Sequence, residues 1–167
     1  FISGINSPIT KVSLYLKNNA KIGMIIKVKG AFGVFGMNKE QKNVVFVATG
    51  TGIAPLMSML RHLVFEKFSG KILFFYGCRS KEDFLYEEEL KQIVKNNKNF
   101  ELHVMFSRDQ QDGKIGYIQD TINEFDFPKE KEKTFAYICG NPSSVEAQVA
   151  VLKEKGFSNE QIHFEKW

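Results

Sequence analysis

The sequence predicts an α/β fold, a five-stranded parallel sheet with helices on both faces. Three observations point there. From Lys42 onward, short β-rich runs alternate with stretches of helical apolar spacing. The longest unbroken apolar runs, Val44 to Ala48 and Ile72 to Tyr76, have the length of strands covered on both faces. Each strand candidate is followed by small, polar or reactive residues, and right-handed crossovers would gather these at one edge of the sheet.

Element by element, Val44 to Ala48 is the first strand. A Gly-rich turn follows, and then a helix with Pro55 at its first position and an apolar stripe at Leu56, Met59, Leu60, Leu63 and Val64. Lys71 to Tyr76 is the second strand. Ser80 with Asp83 resembles a capping box for a helix burying Tyr86, Leu90, Ile93 and Val94 and ending at Asn96-Asn97. Phe100, Leu102, Val104 and Phe106 alternate with more polar neighbours, which predicts a third strand nearer a sheet edge. Ile118, Ile122 and Phe125 form a short helical stripe. Thr134 to Cys139 is a fourth strand. Ser143 with Glu146 fits a capping box before Val145, Val149 and Leu152, and Gly156 stops that helix. Ile162 to Glu165 is a fifth, short strand.

The first 40 or so residues follow another pattern. Thr10 to Asn18 reads as a short helix, Gly23 as a turn and Ile25 to Lys29 as a strand, with Gly30, Gly33 and Gly36 after it. They read as the tail of a separate β-rich domain, joined through Met37 to Lys42. The chain opens on Phe1 with no signal-like segment, so a C-terminal piece of something larger is expected.

Composition narrows the function classes. With 43% hydrophobic and 25% charged residues, the 167-residue chain is globular in character, not disordered or fibrous. No apolar run approaches the ~18 residues of a membrane helix. Lys and Arg number 23 against 19 Asp and Glu, and the net charge of +4 is spread along the chain. That is no nucleic-acid footprint. Two Cys make no disulfide framework, which favours a reducing, cytoplasmic setting. His62, His103 and His163 lack metal-ligand spacing, so no metal is expected.

Ligands of open parallel sheets bind beyond the carboxyl ends of the strands. There stand Thr49-Gly50-Thr51-Gly52-Ile53-Ala54-Pro55, Gly77-Cys78-Arg79, Ser107-Arg108, Cys139-Gly140-Asn141-Pro142 and Glu165. Two glycines before a helix N-terminus allow backbone N–H groups to approach a pyrophosphate. The loop is neither the usual dinucleotide fingerprint nor a Walker loop, and alone it is a weak signal. Ser107, Arg108, Lys114 and Tyr117 suit a phosphate monoester and an adenine, or else form a solvated loop tip. Cys139 is either beside the reactive end of a ligand or simply a small buried apolar residue.

At these residues the chain resembles the ferredoxin–NADP+ reductase superfamily, in which a flavin-binding β-barrel precedes a nicotinamide-nucleotide domain. The resemblance runs over nearly the whole chain. It rests on Ala48-Thr49-Gly50-Thr51-Gly52-Ile53-Ala54-Pro55, on Tyr76-Gly77-Cys78-Arg79 with Asp83, Tyr86 and Glu89-Leu90, and on Tyr137-Ile138-Cys139-Gly140-Asn141-Pro142, in that order and spacing. The stretch from Val12 to Phe35 resembles the end of the flavin barrel, with Ala31 where the family usually has Pro. The family's main flavin motif, Arg-x-Tyr-Ser/Thr, is absent, since no Arg precedes Arg61.

The resemblance implies residues 1–38 as the incomplete barrel and 39–167 as the NAD(P)H domain. It implies a nucleotide held by Thr49, Gly50, Thr51, Gly52, Ile53, Pro55, Gly77, Cys78, Arg79, Ser107, Arg108, Lys114, Tyr117, Gly140, Asn141 and Pro142. Cys139 and Glu165 would act at the nicotinamide. Ser13 would meet the FAD pyrophosphate, and Trp167 would stack on the flavin ring. Ser107-Arg108 matches members that read a 2′-phosphate, so NADP is expected, with NAD as the alternative. The implied activity is hydride transfer from NADPH to FAD, then electron transfer to ferredoxin or flavodoxin. An NADH-dependent reductase of an oxygenase is a second reading, and a non-catalytic nucleotide-binding module a third.

Overall fold

A computed structural model describes residues 8–30, 32–109, 115–127 and 133–166. Their elements, in chain order, are α1 (Pro8–Asn19), β1 (Asn43–Thr49), α2 (Ile53–Phe65), β2 (Ile72–Cys78), α3 (Glu87–Asn96), β3 (Phe100–Phe106), α4 (Ile118–Glu124), β4 (Thr134–Gly140), α5 (Pro142–Glu154) and β5 (Ile162–Lys166). Short 3₁₀ turns occupy Gly50–Gly52, Lys81–Asp83 and Asn159–Gln161. The strands form one parallel sheet in the order β3-β2-β1-β4-β5. The chain divides into two compact units between Val34 and Phe35. Among the described residues, no helix is long and apolar enough to cross a membrane.

The central strand explains the rest. Val44 to Ala48 are fully buried, because β1 has paired neighbours on both sides and helices on both faces. Its side chains alternate by strand geometry. Val44, Phe46 and Ala48 join Leu56, Leu60, Leu63 and Leu90 in the core under α2 and α3, while Val45 and Val47 join Ile118, Ile122, Val145 and Leu152 under α4 and α5. Each Val, Leu, Ile or Phe side chain among them contributes roughly 1.5–3 kcal/mol of transfer free energy. The chain moves one way from β1 to β3, then returns past β1 to β4 and β5. With right-handed crossovers, that reversal places α2 and α3 on one face and α4 and α5 on the other. β3 lies at an edge, as its alternating pattern predicts.

Tyr137 ties the segment leading into β1 to the sheet. Tyr137 of β4 is buried, accepts a hydrogen bond from the Asn38 N–H at 2.7 Å and donates to Gln41 Oε1 at 2.8 Å. Phe35 packs edge-on against its ring at 6.4 Å.

Several local expectations are corrected. Residues 24–30 form no strand, and Ile25 and Val28 are exposed: a strand needs a paired neighbour, and among the described residues this segment has none. Ser80 precedes and Asp83 ends a 3₁₀ turn instead of starting an α-helix. The helix begins at Glu87, after Tyr86 in the left-handed region at φ 58°. Tyr86 and Val94 are therefore exposed, and Leu90 and Ile93 carry the burial. Asn141, not Ser143, caps α5: its Oδ1 accepts from the Ser144 N–H at 3.0 Å. Gly156 ends that helix as expected, at φ 89°.

Candidate functional site

The strand order reverses between β1 and β4, which are hydrogen-bonded neighbours. Their crossovers leave toward opposite faces, and the crevice expected at such a reversal lies beyond their carboxyl ends. The Thr49–Gly52 turn and the Gly140–Pro142 turn line it.

These two turns pack at backbone contact. A Cβ on Gly52 would run into the Cys139 carbonyl, and a Cβ on Gly140 would meet the Thr49 hydroxyl. Gly52 admits no side chain without separating β1 from β4, whereas a side chain at Gly140 would first displace the Thr49 hydroxyl. Gly50 differs: it sits at φ +54°, with open space where a Cβ would point. That lets a ligand approach the main chain. Thr49 Oγ1 is buried and has no hydrogen-bond partner among the described residues.

The N-terminus of α2 faces this turn. Gly52 is its N-cap, and no side chain caps it. Pro55 is the third residue of the helix, not the first, because the 3₁₀ turn Gly50–Gly52 leads in ahead of it. Its missing N–H is still one that no intrahelical acceptor could have used. The Ile53 N–H turns back to the Gly50 and Thr51 carbonyls. Beneath the turn, Tyr76 of β2 is fully buried, and its hydroxyl donates to the Gly50 carbonyl at 3.2 Å and the Asp83 carbonyl at 3.3 Å. The sequence offered one hint of this role, a lone hydroxyl in the otherwise apolar run Ile72 to Tyr76.

The β2 and β3 exits stay paired beyond the strands. The Ser107 N–H donates to the Cys78 carbonyl at 3.0 Å, and the Arg108 N–H to the Arg79 carbonyl at 2.8 Å. Gly77-Cys78-Arg79 and Ser107-Arg108 therefore lie side by side. Asp109, which sequence pattern does not single out, accepts from the Lys81 N–H at 3.0 Å. Gly77 is a packing glycine, since a Cβ there would press on Ile118 and Thr49 at 3.1–3.3 Å. Tyr117 precedes α4 with an exposed side chain. Lys114 and Trp167 lie outside the described residues.

At the β4 exit, Cys139 pairs in register with Glu165 of β5. Its thiol is buried and pushed up to about 11, first by burial and then by the Glu165 carboxylate. Cys78 is pushed up to about 12, again first by burial, with Asp83, Asp109 and Glu87 adding to it. Both thiols belong to the core under α2 and α3, so neither is a thiolate nucleophile at neutral pH. The Asn141 side chain is fully engaged in its own helix: Oδ1 also accepts from Ser143 Oγ at 2.8 Å, and Nδ2 donates to Ser144 Oγ at 2.9 Å. Ser13 is half-buried on α1, in the other compact unit.

Open backbone at Gly50, an unpartnered buried hydroxyl at Thr49 and an uncapped helix N-terminus fit a nucleotide diphosphate. Comparison with known proteins agrees. Residues 46–150 match the model of the oxidoreductase NAD-binding domain family. A component of the Na(+)-translocating NADH-quinone reductase of Pseudoalteromonas atlantica is 33% identical over 171 residues, covering 96% of this chain and 41% of that protein. The anthranilate 1,2-dioxygenase electron transfer component of Acinetobacter baylyi is 26% identical, covering 93% of this chain and 46% of that protein. The structure of ferredoxin-NADP+ reductase from Plasmodium falciparum with 2'P-AMP is 31% identical at a TM-score of 0.67, covering 83% of this chain and 58% of that one. The chain thus spans less than half the length of these two curated relatives.

Proposed function

This chain belongs to the oxidoreductase NAD-binding domain family, within the ferredoxin–NADP+ reductase superfamily, and from that premise we propose that it holds the nicotinamide nucleotide of a flavin-dependent NAD(P)H oxidoreductase. One observation carries the reading: the uncapped N-terminus of α2 at the point where the strand order reverses, beside the bare backbone of Gly50. When bound, the nicotinamide supplies a hydride and the flavin accepts it.

The chain's own residues bind and orient. Thr49 to Pro55 receive the pyrophosphate, and the Thr49 hydroxyl gains the partner it lacks. The paired exits Gly77-Cys78-Arg79 and Ser107-Arg108 receive the adenosine end, joined by Lys114 and Tyr117. Cys139, protonated and buried, packs beside the nicotinamide, with Gly140 and Glu165 around it. Asn141 and Pro142 contribute backbone and shape, because the Asn141 side chain is spent on capping. The first unit, ending at Val34, is in this reading the end of a flavin barrel in which Ser13 would meet FAD, and Trp167 would stack on the flavin ring. Glu165, like the rest of this site, positions instead of transferring protons, since hydride transfer depends on near-attack geometry.

NADPH is the donor in this reading because Arg108 offers a planar fork of donors next to Ser107, which suits a 2′-phosphate. Electrons then pass to ferredoxin or flavodoxin. A second reading, NADH with an oxygenase or quinone-reducing partner, draws support from the names of the relatives and from Asp109, a carboxylate one residue beyond Arg108. Calorimetric titration of this chain with NADP+ and with NAD+ decides between them. Preference for NADP+ is expected, and Arg108→Ala should weaken NADP+ by about tenfold or more while changing NAD+ little. Preference for NAD+, or equal loss of both in the variant, selects the second reading. Binding of neither nucleotide removes the proposal.

A further inference from the structure

We infer that Tyr76 is a positioning residue for the nucleotide: its hydroxyl pins the Gly50–Thr51 peptide so that the Thr51 N–H faces the pyrophosphate. The inference rests on the nucleotide reading above and adds a residue outside the loop itself.

The argument starts from the peptide plane. A trans peptide is planar, and its C=O and N–H point in opposite directions. The Gly50 carbonyl and the Thr51 N–H belong to the same plane. Tyr76 is fully buried in β2, and its hydroxyl draws that carbonyl inward at 3.2 Å. The Thr51 N–H must then point away from the buried ring. Thr51 lies in the 3₁₀ turn before α2, where an N–H has no acceptor within the helix. An anion at the mouth of the turn is the partner such a group takes.

Two further features make the pin specific. Gly50 is at φ +54°, where its missing side chain leaves the peptide free to rotate, and its carbonyl has only the local Ile53 N–H within the turn, so the Tyr76 hydroxyl is the contact that fixes it against the sheet. The Tyr76 ring is itself held, packed on Phe84 at 5.6 Å and seated in the core under α2 and α3. Its hydroxyl proton is shared with the Asp83 carbonyl at 3.3 Å. The hydroxyl therefore links the pyrophosphate turn to the Lys81–Asp83 turn, whose Lys81 N–H is bonded to Asp109 next to Arg108. Burial also keeps the phenol protonated, so it remains a donor across the physiological range.

The test is Tyr76→Phe in this chain, with three readouts. The ligand is ADP-ribose, which carries the pyrophosphate common to both nicotinamide nucleotides and lacks the nicotinamide. Thermal melts should show a folded variant, because the Ile53 N–H still reaches the Gly50 carbonyl and only a hydroxyl is lost. Calorimetry should show ADP-ribose affinity reduced by about five- to tenfold. In heteronuclear NMR, the Gly50 carbonyl carbon should move on substitution, and the shift of the Thr51 amide on adding ADP-ribose should shrink. A purely structural role would lower the melting temperature and leave affinity and the Thr51 response intact, which overturns the inference. An unchanged Gly50 carbonyl shift overturns it as well. If the unsubstituted chain binds neither ADP-ribose nor either nucleotide, the functional reading fails, and the Gly50 carbonyl shift still decides whether the hydroxyl holds the peptide.

Discussion

The two turns that line the crevice, Thr49–Gly52 before α2 and Gly140–Pro142 before α5, begin alike and end differently. Each leaves a buried central strand and enters a 13-residue helix, and the two touch through Gly52 and Gly140. Yet α5 is sealed: Asn141 accepts from the Ser144 N–H, and Pro142 at the first position has no N–H to satisfy. In contrast α2 has glycine at its N-cap and no side-chain cap hydrogen bond. Both helices have a positive end at the same crevice. Only the α2 end lacks a capping side chain, whereas Asn141 and Pro142 together close the α5 end.

That contrast can be broken most severely at Gly52. Gly52→Ala places a methyl into the Cys139 carbonyl, so the open turn must lift away from the sealed one. We expect a loss of about 3 kcal/mol of stability in denaturant unfolding and no measurable nucleotide binding by calorimetry. A variant that binds like the parent would show that the close approach of the two turns does not shape the site.

The next effect concerns the buried thiols. Cys139 lies near the end of β4 with its side chain in the core under α2 and α3, and its thiol is pushed up to about 11 from the ordinary 9.0. Cys78 is pushed up to about 12. A group that keeps its proton longer in the folded chain than in the unfolded chain contributes fully below the unfolded value. That contribution is lost as the pH climbs from 9 toward 11 and 12. Melting temperatures should therefore hold to about pH 8.5 and then decline, and Cys139→Ala should flatten part of the decline. At about pH 8, below the ordinary thiol range, iodoacetamide should label both thiols far more slowly in the folded chain than in the denatured one. Rapid labelling of Cys139 would mean that the core is open to solvent near the end of β4.

The smallest effect sharpens the comparison. Asn141→Ala removes the α5 cap and should cost about 1 kcal/mol. Nucleotide affinity should stay within about twofold, because the lost bonds are internal to the helix. A large drop in affinity would assign the Asn141 side chain to the ligand.

How far the sequence reveals the fold depends on where each residue sits. Val44 to Ala48 and Ile72 to Tyr76 are legible as strands because burial on both faces demands unbroken apolar runs. The alternation in Phe100 to Phe106 marks an edge for the converse reason. Capping is less legible. Ser80-Asp83 and Ser143-Glu146 both have the right spacing, but Tyr86 in the left-handed region delays α3, and Asn141 claims the cap of α5. Polar residues near a helix start compete, and which one wins depends on backbone angles that spacing does not encode. Residues 25–29 have strand composition without a strand, because pairing is supplied by neighbours and not by propensity.

The site divides along the same line. By itself, the sequence determined the class of fold, the side of the sheet where chemistry gathers and the turn that carries two glycines, all of which follow from local pattern and crossover handedness. Only the tertiary structure decided which helix end stays open, that Tyr76 grips Gly50 across 26 positions of chain, and that Cys139 meets Glu165 on a neighbouring strand. These are contacts between residues far apart in sequence. Their geometry exists only after the sheet has assembled, and no window of neighbouring residues contains it.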